Sequence, residues 1–119
     1  MAVVRVTSFA AGSVISNVAG RVSHIHVHQA TDGASGNTFV MLYDQVAAPV
    51  GGTDTPEIVW AVPQKAETGT RGKFSMVLPG GGHRFGTGVG LFVATTFNGA
   101  TGVTTTAPTA VDVFYETGN

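Results

Sequence analysis

His24-Ile25-His26-Val27-His28 is the stretch whose residue types and spacing come nearest to a chemical site. In an extended chain alternate side chains share a face, so the three imidazoles point one way and Ser23, Ile25 and Val27 the other. Imidazole ligates zinc, and ligands on one face are the beginning of a site. The outer two, however, lie about 13 Å apart along a strand, too far for one ion to hold all three. An adjacent pair would need a third ligand from His83, an aspartate or a second copy of the chain. A solvated polar face opposite Ile25 and Val27 is the simpler reading. The expectation is therefore no metal and no cofactor, with His24, His26 and His28 as the ligands if a metal were held. A subunit contact that weakens as these histidines protonate at about pH 6 is a further reading.

Catalysis finds less to work with. The chain has no cysteine and no Gly-x-Ser-x-Gly nucleophile turn. Asp32, Asp44, Asp54, Glu57, Glu67, Asp112 and Glu116 are scattered singly, without a paired-carboxylate pattern. The run GGGHRFGTG over residues 80–88 shares only its glycines with a phosphate-cradling loop. It lacks the Lys-Ser/Thr ending and the following helix that would supply amide donors. A flexible turn is expected there, with Arg84 and Phe85 as candidates to anchor a contact, since Arg and aromatics favour interface centres. Trp60, the sole tryptophan, shares a face with Ile58 and Val62. That pattern predicts burial in the core or at a subunit interface, with a sugar-stacking platform as the alternative. No enzyme and no small-molecule ligand are expected.

The elements that must position these residues are strands. Alternation or short apolar runs mark residues 4–7, 14–15, 21–28, 57–62, 73–78, 89–97 and 111–116. Residues 38–44 (TFVMLYD) are continuously apolar up to Asp44, the pattern of a strand buried on both faces. Turn-forming residues separate them at 32–37, at 47–56 and at Pro79-Gly80-Gly81-Gly82, and the polar segment 64–72 reads as an exposed loop. No stretch of a dozen residues has helical periodicity. These features predict an all-β fold: a single-domain antiparallel β-sandwich over residues 1–119, jelly-roll-like, with seven to eight strands whose order is not fixed.

Composition narrows the function. Charged residues make up 11% of the chain, against roughly 25% in an average soluble domain, and the net charge is −1. No basic patch can neutralise a run of phosphates, so nucleic acid is not an expected partner. No apolar stretch reaches the ~20 residues of a membrane-spanning helix, and the first residues lack a signal-peptide pattern. A surface this poor in charge has little to hold other surfaces off, which points to an assembly component.

The residues between and after the core strands carry a resemblance. Leu42-Tyr43-Asp44, Ala48-Pro49 and Gly52-Thr53-Asp54-Thr55-Pro56 are followed by Leu78-Pro79, Phe85, Gly88, Gly90 and Ala94-Thr95. Thr104-Thr105-Thr106-Ala107 and a strand ending in Tyr115 close the pattern. Over residues 38–115 the chain resembles a family of small phage and prophage virion structural proteins, related to capsid decoration and cement proteins. The resemblance implies a homo-oligomer, a trimer on a capsid lattice or a ring in a neck or tail. It also implies the major capsid protein as partner, and a place on the virion surface after assembly in the host cytoplasm. A tail, neck or spike part, including a host-glycan-binding module, is the alternative. The His24-His26-His28 strand and the 64–73 loop depart from the family pattern. On this reading the first strand, with Val4 and Val6, and the last, with Phe114, reach neighbours; Trp60, Arg84 and Phe85 complete the interface candidates. The segment at Asp54 has a plain local role: Asp and Thr side chains bond nearby amides, and Pro56 keeps Thr55 extended.

Overall fold

In the computed structural model, which describes residues 1–28, 38–62, 73–95 and 108–118, the described chain forms strands and turns and no helix. The strands are β1 (Ala2–Val6), β2 (Ser13–Ser16), β3 (Gly20–His28), β4 (Thr38–Tyr43), β5 (Ile58–Val62), β6 (Lys73–Val77), β7 (His83–Phe85), β8 (Val89–Ala94) and β9 (Ala110–Thr117). The sequence segments 32–37, 64–72 and 104–107 lie outside the described residues.

The pairing is antiparallel throughout and follows one rule. The first strand pairs with the last, β2 with β8, β3 with β6 and β7, and β4 with β5. This is a long hairpin ribbon rolled on itself. Two further contacts, β3 with β9 and β4 with β8, close it into two sheets, ordered β1-β9-β3-β6 and β2-β8-β4-β5. That order is the jelly roll. Nine segments fill eight strand positions, because β6 and β7 run consecutively along β3.

Between them, residues 78–82 leave the ladder and return to it, with the Leu78 amide donating to the Ser23 carbonyl. The expected turn is therefore an interruption within a strand, and Arg84 and Phe85 belong to β7. Gly82 makes the return possible. Its φ is +115°, and a Cβ there would meet the Val22 carbonyl oxygen at 2.8 Å.

Between the sheets lies a core that includes Val22, Ile25, Val27, Val40, Leu42, Phe85, Leu91, Val93, Val111 and Val113. Strand β4 is buried on both faces, as its sequence predicts. Val40 and Leu42 face this core, while Met41 and Tyr43 join Phe92 and Ala94 in a second cluster on the other face of their sheet. Each buried branched or aromatic side chain contributes on the order of 1.5–3 kcal/mol. An exposed ion pair contributes about 1 kcal/mol or less. Apolar burial therefore holds the fold, and the few charged groups decide details of its surface.

Two of those details are corners. Asp54 accepts hydrogen bonds from the Val50 amide at 2.8 Å and from Gln45 Nε2 at 3.0 Å. The Asp54 amide donates back to the Val50 carbonyl, so the turn closes on itself as the sequence suggests. Asp44 caps the other corner. Its carboxylate accepts from the amides of Gly86 (3.0 Å), Thr87 (2.8 Å) and Gly88 (3.4 Å), and from Thr87 Oγ1 at 2.8 Å. Burial raises the Asp44 pKa, but these bonds outweigh it and leave the carboxyl below its ordinary value. Asp44→Ala strands those donors at the entry to β8. Its expected cost is about 2 kcal/mol by chemical denaturation, against about 0.5 kcal/mol for substitution of an uninvolved surface residue.

Candidate interaction surface

The outer face of the first sheet gathers most of the residues singled out by sequence. Strand β3 supplies the histidines, but not in unbroken alternation. Its register against β9 shifts between Val22 and His24, a β-bulge at Ser23. Val22 is therefore fully buried with Ile25 and Val27, whereas Ser23, expected on their face, is only partly covered. Its hydroxyl lies 3.0 Å from His24 Nδ1 and 3.3 Å from the Phe114 carbonyl oxygen.

Each imidazole has a different environment. His28 Nε2 lies 3.1 Å from Asp112 Oδ2. The same carboxylate takes both arms of Arg5, Nε at 2.7 Å and Nη2 at 2.9 Å. Asp112 keeps only 7% of its side-chain surface exposed, and Arg5 keeps 60%. The Arg5 hydrogen bonds, working against burial and aided by His28, hold the Asp112 carboxyl at about 2. His24 stacks on Phe114 with ring centres 3.9 Å apart and planes within 15°. His26 sits between, its ring 4.8 Å from Phe114 and 5.1 Å from His24. Burial first, then Lys73 and His24, push the His26 pKa down. Among the described residues, no group of three His, Asp or Glu side chains is placed to hold a metal ion.

The remaining interface candidates divide by burial. Arg84 is exposed on β7, and Phe114 is half-buried on the outer face. Val4 and Trp60 are half-buried and pack against the core from its margin. Phe85 is fully buried and Val6 is 9% exposed, both within the chain's own core. Those two expectations are corrected: neither side chain is presented to a neighbour, because both point between the sheets. The last strand is corrected in the same way. Strand β9 lies between β1 and β3, so over residues 111–115 both its main-chain edges are occupied, and there only side chains on its outer face, Phe114 among them, are open.

What sequence reasoning missed is the Arg5–Asp112–His28 group. Its members stand 107 and 84 positions apart, and only strand order brings them together.

The chain's apolar exterior is distributed. Val3, Val14, Val18, Val46, Val50 and Val77 are each more than two-fifths exposed, as is Met1. They lie on the strands and connections of both sheets. Comparison with protein-family models, with curated proteins and with solved structures gave no match.

Proposed function

We propose that this chain is a structural protein of a phage particle, a capsid decoration or cement subunit that acts by covering and tying together the head lattice. The observation that carries the reading is the exterior: 11% charged residues over the whole sequence, with six valines standing open on an all-β jelly roll. Apolar surface scattered over both sheets and shielded by little charge stabilises contact with flat neighbouring surfaces. On this reading the subunit acts by burying surface against itself and the major capsid protein, and no reaction is involved. Fold alone assigns none of this, since jelly rolls serve many functions. The motif resemblance over residues 38–115 supports the virion assignment.

A glycan-binding tail or spike module is less well supported by the aromatic side chains. Sugar stacking needs an open ring face. His24 covers one face of Phe114, and Trp60 packs against the core margin.

The test is particle stability. Particles assembled without this chain should release their genome at a lower temperature than complete ones, and purified protein added back should restore the difference. No shift on removal, together with no co-sedimentation of the added protein, would contradict a cement role.

A further inference from the structure

We propose that the open edge of β1 is a two-fold contact between copies of this chain, in which β1 pairs antiparallel with the same strand of a partner subunit. The two first sheets would then be one continuous sheet.

Among the described residues, each sheet has two strands with one unpaired edge: β1 and β6–β7 in the first, β2 and β5 in the second. An open edge presents unpaired amides and carbonyls, and proteins normally blunt it with charge, bulges, proline or cover. Three of the four edges carry such a device. Strand β2 has four residues and a register shift between Val14 and Ser16. The β6–β7 edge begins at the exposed Lys73 and is broken at residues 78–82. Strand β5 is half-covered over Ile58, Val59 and Trp60, and Pro56 and Pro63 bracket it in sequence. Strand β1 has no bulge, break or proline. Its register on β9 is unbroken over all five residues, Ala2 and Val3 are exposed, and it contains no proline. Its one charge, Arg5, is already matched by Asp112.

The sequence of β1 selects a single register. Full overlap of two antiparallel copies sets Val4 opposite Val4 of the partner subunit, Val3 opposite the partner's Arg5, and Ala2 opposite the partner's Val6. This keeps core-facing residues with core-facing residues. Sliding by two residues one way sets Arg5 against the partner's Arg5, a like-charge pair that destabilises. Sliding the other way loses two of the five pairs.

A second feature lies at the same edge. Strand β9 continues past Ala2's partner Tyr115, leaving a cleft of about 560 Å³ lined by Met1, Ala2, Tyr115, Glu116 and Thr117. In the two-fold pair, the partner's Thr7 and the partner's Ser8 follow its β1 to this cleft.

The inference adds a self-contact to the function proposed above. It fails separately: a lattice-like copy number in particles combined with no β1 contact would leave that function standing. A trimer, as the motif resemblance implies, would need an additional interface.

Because the chain has no cysteine, introduced thiols report the register cleanly. In Val4→Cys the two Cα atoms would be about 4.5–5.5 Å apart, within disulfide range. In Ala2→Cys they would be about 13 Å apart, outside it. Under mild oxidation, V4C is expected to form disulfide-linked dimers at least tenfold faster than A2C. The unmodified chain should show twice the 12.1 kDa monomer mass by light scattering at tens of micromolar. Val3→Arg, which sets a second cation against the partner's Arg5, is expected to weaken the dimer about tenfold. A monomer at every concentration, or equal cross-linking of V4C and A2C, would overturn the contact. An unchanged dimer in V3R would overturn its register.

Discussion

Phe85→Ala is expected to lower the unfolding free energy by about 4 kcal/mol, while Arg84→Ala, one residue earlier, should change it by about 0.5 kcal/mol or less. The contrast follows from β7 alone. Phe85 has no exposed surface and fills the space between the sheets, whereas Arg84 points to solvent. Removing the ring leaves a cavity that neighbouring valines on fixed strands cannot close. Of a total stability of about 6–15 kcal/mol for a domain this size, that is a large share. The melting temperature should fall by roughly 15 °C or more, readable by calorimetry or circular dichroism. Equal effects at the two positions would contradict the placement of β7. A purely interfacial Phe85 would leave the isolated chain's stability almost unchanged and alter only its assembly.

The second large effect is at Asp112. Its carboxyl is held down at about 2 in the folded chain, against an ordinary value of 3.8. A depressed carboxylate favours the fold above its unfolded pKa, and that contribution is lost as pH falls through the folded value. The difference corresponds to roughly 2 kcal/mol, present at neutral pH and disappearing between about pH 4 and pH 2. Asp112→Asn should therefore cost roughly 2 kcal/mol at pH 7 and make the stability profile less steep across that window. His26 acts in a different window. Its pKa is lowered, so the unfolded chain binds the proton first, and stability begins to fall as pH drops below about 6.5. The Asp112→Asn variant should keep this upper slope and lose only its own share of the lower one, leaving the share of Asp44 and Asp54, whose hydrogen-bonded carboxyls also lie below their ordinary values. Urea melts at a series of pH values separate the two.

These expectations also mark what could be read from the chain and what could not. Double burial of β4 was legible because its apolar residues are contiguous, and the alternation of Phe74 and Met76 against Ser75 and Val77 placed β6. The Asp54 corner was legible because its partners are local: Val50 and Gln45 lie within nine positions. Asp44 has the same kind of role and left no such trace, since its donors sit 42 to 44 residues away. The bulge at Ser23 was invisible because period-two alternation assumes an unbroken ladder, and one extra residue moves Val22 into the core in Ser23's place. Strand β7 was hidden by its flanks. Three residues between Gly82 and Gly86 are too few to show a period, and only pairing to Gly20, Arg21 and Val22 makes them a strand. For the histidines, spacing predicted their shared face. It carried no information about Asp112 or Phe114, which arrive from β9 and give His28 a carboxylate and His24 and His26 an aromatic ring.

The most direct measurement of the central claim is the copy number of this chain relative to the major capsid protein, by quantitative mass spectrometry of purified particles. A decoration or cement role predicts a ratio near one or another simple lattice fraction. A ratio of a few percent would contradict it and move the chain to a tail, neck or spike, and absence from particles would remove the virion assignment altogether.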